Sequence, residues 1–260
     1  MSEQVIKFIN SKLTKREKYI MCSRYGLNGH IQKTQQQIAD ELGISRSYVS
    51  RIETKVQNKL KKYVKVIPIC PEIECGLQIH HSKLRIVENN NKEELLIPNE
   101  DLNLTQEMHD FSNKFLNKLT NVDGFILKSK SPICALKDAK VYDTLEKGCA
   151  IKREHGFFTK EIIKHYPYIP IEDEHRLNNF KIREHFLSRI FILSDFRLIK
   201  KSFNFESLKS FHLKNTLLFL SYSQKYSKLL DNLIYSDKIE DINILFKEYE
   251  FYLHRLLEKA

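Results

Sequence analysis

Between residues 13 and 62 apolar side chains return every three or four positions, in three runs separated by glycine or serine. The first run, LTKREKYIMCSRYGL (13–27), opens on Thr14 with Glu17 three residues later, the reciprocal pairing of a capping box. Gly26 and Gly29 are expected to end that helix and open a loop. A second helix is expected from Thr34 (TQQQIADEL), with Ile38, Ala39 and Leu42 on its inward face. Gly43 follows, where the chain must turn sharply and a left-handed residue is least costly as glycine. Ser45 caps a third helix, SRSYVSRIETKVQNKLKKY, whose Val49, Ile52, Val56 and Leu60 are spaced by three and four. A helix, a tight glycine turn and an amphipathic basic helix, in that order, form a helix-turn-helix.

The pattern changes after Tyr63. KVIPIC (65–70) is a short apolar run expected to be a buried strand, LTQEMHDFSNKFLNKL (104–119) has helical spacing, and GFILKSK (124–130) is expected to be a second buried strand. Strand, helix, strand implies an α/β layer, and ENNNKEELLIPNE between them is expected to be a surface loop. From residue 179 the text is helical, with about four helices expected; Leu187, Ile190, Phe191 and Ser194 share one face, as do Leu213, Leu217, Leu220 and Tyr222. The fold class expected is α+β multidomain: an all-α helix-turn-helix at 1–64, a truncated α/β domain at 65–168 and an all-α helical domain at 169–260.

Charge sharpens the division. Residues 1–65 hold 14 Lys and Arg against 5 Asp and Glu, whereas residues 66–260 hold 29 against 28, so nearly all of the net +10 sits in the first unit. Concentrated positive charge attracts phosphate polyanions. On the outward face near the start of the third helix, Arg46, Ser47, Ser50 and Arg51 are the candidates for base edges and phosphates, and Lys55 and Lys59, with Lys61 and Lys62, extend the track along a backbone. No run approaches membrane-spanning length, and the first residues lack the apolar core of a signal peptide, so a cytoplasmic protein without a membrane partner is expected. Five cysteines are an odd number and form no disulfide framework. Neither a phosphate-binding glycine loop nor GxSxG occurs.

LTKREKYIMCSRYGLNG and KTQQQIADELGISRSYVSRIE resemble region 4 of bacterial sigma factors, the sporulation type above all. In that family this region binds the −35 promoter element and the polymerase flap, so the resemblance implies double-stranded DNA as partner, contacts from Arg46, Ser47, Ser50 and Arg51, and RNA polymerase as a further partner. Nothing resembles region 2, which melts promoter DNA, so a stand-alone promoter-selecting factor is not expected.

IPICPEIECGL, IHHSKLRIV, FILKSKSPIC and AKVYD resemble the YbbK-type family that includes thiouracil desulfurase. The resemblance implies an iron–sulfur cluster held by three cysteines, with Cys70 and Cys134 at two of those positions and Glu72 and Ser131 at catalytic, substrate-side ones. The sequence departs from the pattern at several points. The segment bearing the first cysteine is replaced by the helix-turn-helix, the second serine of the loop is Ile133, its glycine is Ala135, and the Pro-Arg of the substrate side is His80-His81. Cys75 is expected to be a small buried thiol, and Cys70, Cys75, His80 and His81 do not have a usual zinc spacing. EDEHRLNNFKIREHF and SFHLKNTLLFLSYSQKYSKLL resemble the YbgA-type domain, with Glu174, Arg176, Arg183, Glu184, His212 and Lys214 its notable polar residues. The expectation is a transcription-related DNA-binding protein carrying a degenerate YbbK–YbgA body, without a cofactor and not an enzyme. The alternative is an iron–sulfur-dependent, desulfurase-like enzyme with an accessory DNA-binding head. The oligomeric state is left open.

Overall fold

The computed structural model describes residues 13–25, 30–31, 33–60, 65–76, 84–98, 102–146, 148–236 and 241–258, without the side chains of 57–60. Gly26, Gly29, His80, His81, Lys61, Lys62 and the side chain of Lys59 therefore lie outside the described residues.

The N-terminal unit is built from α1 (Lys15–Tyr25), α2 (Gln35–Leu42) and α3 (Arg46–Leu60). The expected capping box is formed: the Glu17 N–H donates to Thr14 Oγ1 at 3.2 Å and the Thr14 N–H to Glu17 Oε2 at 2.9 Å. A second capping box, Thr34 with Gln37, starts α2. Gly43 ends it at φ 60°, ψ 39°, the left-handed conformation expected there. The Ser45 hydroxyl accepts from the Tyr48 N–H at 3.2 Å and caps α3. Ile20, Met21, Cys22, Ile38, Ala39, Val49, Ile52 and Val56 form the core between the three helices. Beside them, buried Glu53 accepts from Gln35 Nε2 at 2.7 Å and pairs with Arg24 Nε at 3.3 Å, so one carboxylate on α3 ties down both other helices. A buried carboxylate needs such partners.

The middle unit corrects three expectations. Residues 88–98 do not form a plain surface loop: β1 (Arg85–Asn89) and β2 (Lys92–Ile97) pair antiparallel in a hairpin. Asn90 and Asn91 turn it with positive φ of 48° and 61°, the two-residue geometry whose twist matches the flanking strands. The five-stranded sheet runs β3-β2-β1-β5-β6, with β3 (Leu102–Asn103), β5 (Ala139–Tyr142) and β6 (Lys152–Glu154), and β1–β5 as its parallel pair. Helices α5 (Thr105–Lys118) and α6 (Phe157–His165) close the core over Ile86, Leu95, Ile97, Met108, Leu116 and Phe158. The second correction concerns 65–70, which is not a strand and is not buried, with Val66 68% and Ile67 52% exposed. Among the described residues no strand pairs with it, and extended backbone without a ladder partner has nothing to hold it in a sheet. It leads into a single turn, α4 (Pro71–Glu74). The strand expected at 124–130 is shorter: β4 is Phe125–Leu127, pairing parallel with β7 (Ile171–Asp173), and Ile126 is 63% exposed.

The C-terminal unit has four described helices, α7 (Phe180–Ser202), α8 (Phe205–Tyr222), α9 (Gln224–Tyr235) and α10 (Ile242–Leu257). Side chains of Asn179, Asn204, Ser223 and Asp241 accept from N–H groups of their first turns. Ile192, Phe196, Phe211, Phe219, Phe246 and Tyr249 lead its core. The face expected of α8 is corrected here: Leu208, Phe211, His212 and Phe219 point inward, while Leu213, Leu217 and Leu220 are exposed. The two phenylalanines outweigh the leucines because they bury more apolar area per side chain. Arg197 joins this unit to the middle one, donating to both oxygens of Asp123 at 3.0 and 2.9 Å.

Candidate functional site

Two groups of side chains have the chemistry of a site. The first is on the head. Val49, Ile52 and Val56 turn α3 inward, so Arg46, Ser47 and Arg51 stand in solvent and Ser50 is half-buried beside them. The Gly43 turn sets α3 at a fixed angle to α2, and the glutamate tie at Glu53 holds both. Arg46 Nε lies 3.4 Å from Gln35 Oε1, a long hydrogen bond within the head. Lys55, 67% exposed, pairs with Glu17 Oε1 at 3.3 Å and so braces α3 against α1 as well as facing solvent. Two residues escaped sequence reasoning. The Tyr48 ring has the guanidinium groups of Arg16 and Arg51 over it, 5.3 and 5.7 Å from its centre. Stacking on an aromatic ring restrains an arginine without neutralising it. A tyrosine one position before the buried Val49 was the available signal.

The second group lies past the carboxyl ends of the parallel strands β4 and β7. There the chain bends at Lys130, with φ 61°, into the loop 131–135. The Ser131 hydroxyl accepts from the N–H groups of Ile133 at 3.2 Å and Cys134 at 3.1 Å. The start of α6 is stitched to the same loop, the Phe157 N–H donating to Pro132 O at 3.1 Å and the Phe158 N–H to Ile133 O at 2.9 Å. Glu174, just after β7, accepts from Lys128 Nζ and the Ser129 N–H, each at 2.8 Å, and from the Ser129 hydroxyl at 3.2 Å. Burial works against ionisation of Glu174, but these donors outweigh it and pull the carboxyl down to about 2.

Cys70, Glu72 and Ser131 all lie within electrostatic reach of Cys134. Burial first, then the Glu72 and Cys70 charges, push the Cys134 thiol up to about 12, against a lowering hydrogen bond with Ser131. Cys134 is thus a neutral thiol at physiological pH, whereas Cys70 is exposed at the N-cap of α4. The substituted positions explain the change in character: Ile133 and Ala135 are fully buried in the middle core, so the side chain at 133 packs rather than presenting a hydroxyl. Cys75 packs against the same core, its Sγ 3.8 Å from Glu107 O, while Cys22 is buried in the head and Cys149 is exposed. Among the described residues no three His, Cys, Asp or Glu side chains are grouped to hold a metal ion. Among the described residues Cys134 and Cys70 are the two thiols at this loop, one fewer than the three cysteines of the family pattern.

The polar residues noted in the C-terminal unit are spread out. Arg176 pairs with Glu172 at 2.7 Å, Arg183 donates to Leu177 O at 2.9 Å, and Lys214 pairs with Asp195 at 3.3 Å. His212 is fully buried between the Tyr249 hydroxyl at 3.0 Å and Asp231 at 2.8 Å. Glu184 also has an interaction partner, and only Glu174 belongs to the thiol site.

Comparison with known proteins finds two families along the chain. The family model "Sigma-70, region 4" matches residues 11–62 and that of 2-thiouracil desulfurase matches residues 43–174. The two overlap along α3, and packing decides there: Val49, Ile52 and Val56 belong to the core of the head. The chain is similar to the RNA polymerase sigma-E factor of Clostridium acetobutylicum, 47% identical over 64 residues, covering 25% of this chain and 27% of that protein. Similar too are the sigma-K factor of Bacillus subtilis, 50% identical over 58 residues (22% and 19%), and the sigma-28 factor of Bacillus thuringiensis subsp. kurstaki, 47% identical over 58 residues (22% and 24%). The chain thus spans about a quarter or less of the length of these curated relatives. No solved structure matches it. No helix among the described residues is long and apolar enough to cross a membrane. With half of its length matched, at residues 43–174, the chain belongs to the 2-thiouracil desulfurase family, and the segment in front of it is similar to sigma-70 region 4.

Proposed function

We propose that this is a transcription-related DNA-binding protein whose head reads promoter-type duplex DNA, with α3 in the major groove. The observation that carries it is the exposed row Arg46, Ser47 and Arg51, with Ser50 beside it, on a helix whose opposite face is locked into a three-helix core. Arginine pairs bidentately with guanine edges, serine is suited to bases or phosphates, and the excess charge of residues 1–65 supplies the phosphate attraction. The kinship with sigma factors supports a −35-type sequence as target and RNA polymerase as a second partner. In this reading the rest of the chain is a degenerate family body that serves as scaffold or ligand sensor.

Fluorescence anisotropy with −35-type duplexes across a salt series tests the proposal. Binding is expected at low salt and should weaken steeply as salt rises. Arg46→Ala and Arg51→Ala should each cost about 1–3 kcal/mol if the arginine reads a base, or reduce the salt slope by about one if it holds a phosphate. Absence of binding at low salt, or binding unchanged in the double variant, overturns the reading.

A second reading, a sulfur-handling enzyme of the same family, is favoured by one observation: the loop brings Cys70, Cys134, Glu72 and Ser131 together. Anaerobically purified protein carrying about four irons per chain, lost in Cys70→Ser and Cys134→Ser, would replace the first reading of the body with this one.

A further inference from the structure

We infer that the cavity between the middle and C-terminal units binds a small aromatic carboxylate of one or two rings. It holds about 400 Å³ and both units wall it: Val122, Asp123 and residues 165–169 on one side, α7 and α10 on the other. That volume is in the range of small-molecule sites, which favour domain boundaries and combine apolar walls with a few placed polar groups.

The walls suit a flat ring. Ile169, Leu193 and Phe196 supply apolar surface. Tyr168 lies on His254 with ring centres 4.8 Å apart and planes 19° apart, so the two form one stacked aromatic wall. Burial, together with the Arg189 and Lys200 charges, holds His254 below the ordinary histidine range against Glu250 and Glu258, so this wall is uncharged at neutral pH. Two further polar side chains of the lining are occupied: His165 Nε2 has Asn113 Oδ1 at 3.0 Å, and the Tyr166 hydroxyl donates to Leu116 O at 3.0 Å.

Charge decides the sign of the ligand. Asp123 cancels Arg197, which spends its N–H groups on Asp123, Asn121 and Ser194. Glu250 cancels Lys200 but takes one of that ammonium's donors, and among the described residues Lys200 has no other partner. Lys200 thus has N–H donors to spare in the cavity wall. Arg189 adds an uncancelled positive charge behind the aromatic wall. Its Nη2 donates to Tyr168 O at 3.3 Å, its Nε is buried without a hydrogen-bond partner, and no carboxylate among the described residues pairs with it. Glu172 and Glu258, whose charges reach Arg189 from further off, are engaged by Arg176 at 2.7 Å and Arg255 at 3.4 Å. The groups around the cavity therefore carry an excess of positive charge, and the spare donors are on its ammonium. A carboxylate answers both, with Glu250 as its competitor for Lys200.

Isothermal titration calorimetry of the full chain with 2-naphthoate tests this without DNA, so its outcome is independent of what the head binds. One saturable site per chain is expected, with neutral 2-naphthamide at least ~tenfold weaker, as the loss of a charge-assisted hydrogen bond implies. Lys200→Met should abolish that preference. Glu250→Gln, which frees the ammonium for the ligand, should tighten 2-naphthoate about threefold, a gain that a purely structural ion pair would not give. Leu193→Trp fills the cavity and should weaken both compounds at least ~tenfold. Leu217→Trp places the same ring on the exposed face of α8 and should change nothing. No saturable binding, equal affinity for the amide, affinity indifferent to Lys200→Met, or a loss in Leu217→Trp equal to that in Leu193→Trp overturns the inference.

Discussion

Glu174 holds the loop that carries Cys134, and it does so as a charged group: its oxygens accept from an ammonium, a backbone N–H and a hydroxyl. Its carboxyl lies near 2 against an ordinary 4.5, so its contribution to stability is full above 4.5 and is lost as pH falls through the folded value. Glu174→Gln should lower stability near neutrality by about 1 kcal/mol, a modest figure because the side chain is partly in water. It should also flatten the loss of stability between pH 4.5 and about 2, as read by urea melts across that range. Cys134 gives a second check at the same scale. With its thiol pushed up to about 12, it should resist iodoacetamide in the folded protein at pH 8, while exposed Cys70 and Cys149 react, as peptide mass spectrometry would show. The family resemblance brought Cys70, Cys134, Glu72 and Ser131 into view. It left Glu174 among the polar residues of the helical unit, because its loop partners are 45 and 46 positions away in the chain.

At the scale of elements, glycine separates positions that matter from positions that do not. Gly156 precedes α6 with no room beside it: a Cβ there would stand 2.3 Å from Ile133 O and 2.8 Å from Cys134 N. Gly148 would meet nothing closer than Glu146 O at 4.0 Å. Gly156→Ala should therefore cost at least ~3 kcal/mol and release the Cys134 loop, visible as faster alkylation, while Gly148→Ala should stay within ~0.5 kcal/mol. Local chemistry was legible where it is self-contained. The Thr14–Glu17 box and the left-handed Gly43 follow from residues three or four apart. Elements that depend on a distant neighbour were not legible in the same way. KVIPIC has strand composition yet no ladder partner among the described residues, and on α8 the choice between leucine and phenylalanine faces was made by helices that follow it. The hairpin at 85–97 is a different kind of miss, since Asn90-Asn91 between two mixed strands is itself the turn signal.

For the whole molecule, three hydrophobic cores share no residue: one around Ile38 and Val49, one around Ile86 and Phe158, one around Phe219 and Phe246. Cooperative unfolding needs a shared core or a large interface, and among the described residues the core of the head has no member in common with the other two clusters. We therefore expect calorimetry to resolve the head as a separate transition, as the division of charge along the sequence also suggested. Ile38→Ala removes a fully buried side chain from a unit of only three helices, a loss of about 2–5 kcal/mol. In so small a unit that should lower its own midpoint by about 10 °C or more and leave the rest unmoved. Phe246→Ala should do the reverse, lowering the transition of the C-terminal helices and sparing the head. The middle and C-terminal units differ in this respect, because Arg197 on α7 reaches Asp123 bidentately and Gly124 lies against Ile190. Arg197→Ala should thus draw apart two transitions that coincide in the native chain. With no tryptophan in the sequence, circular dichroism and calorimetry are the probes that see all three units at once. One transition shifted equally by Ile38→Ala and Phe246→Ala would mean that the head is an integral part of the family body, and its helices would then have to be read as scaffold before they are read as a DNA-binding unit.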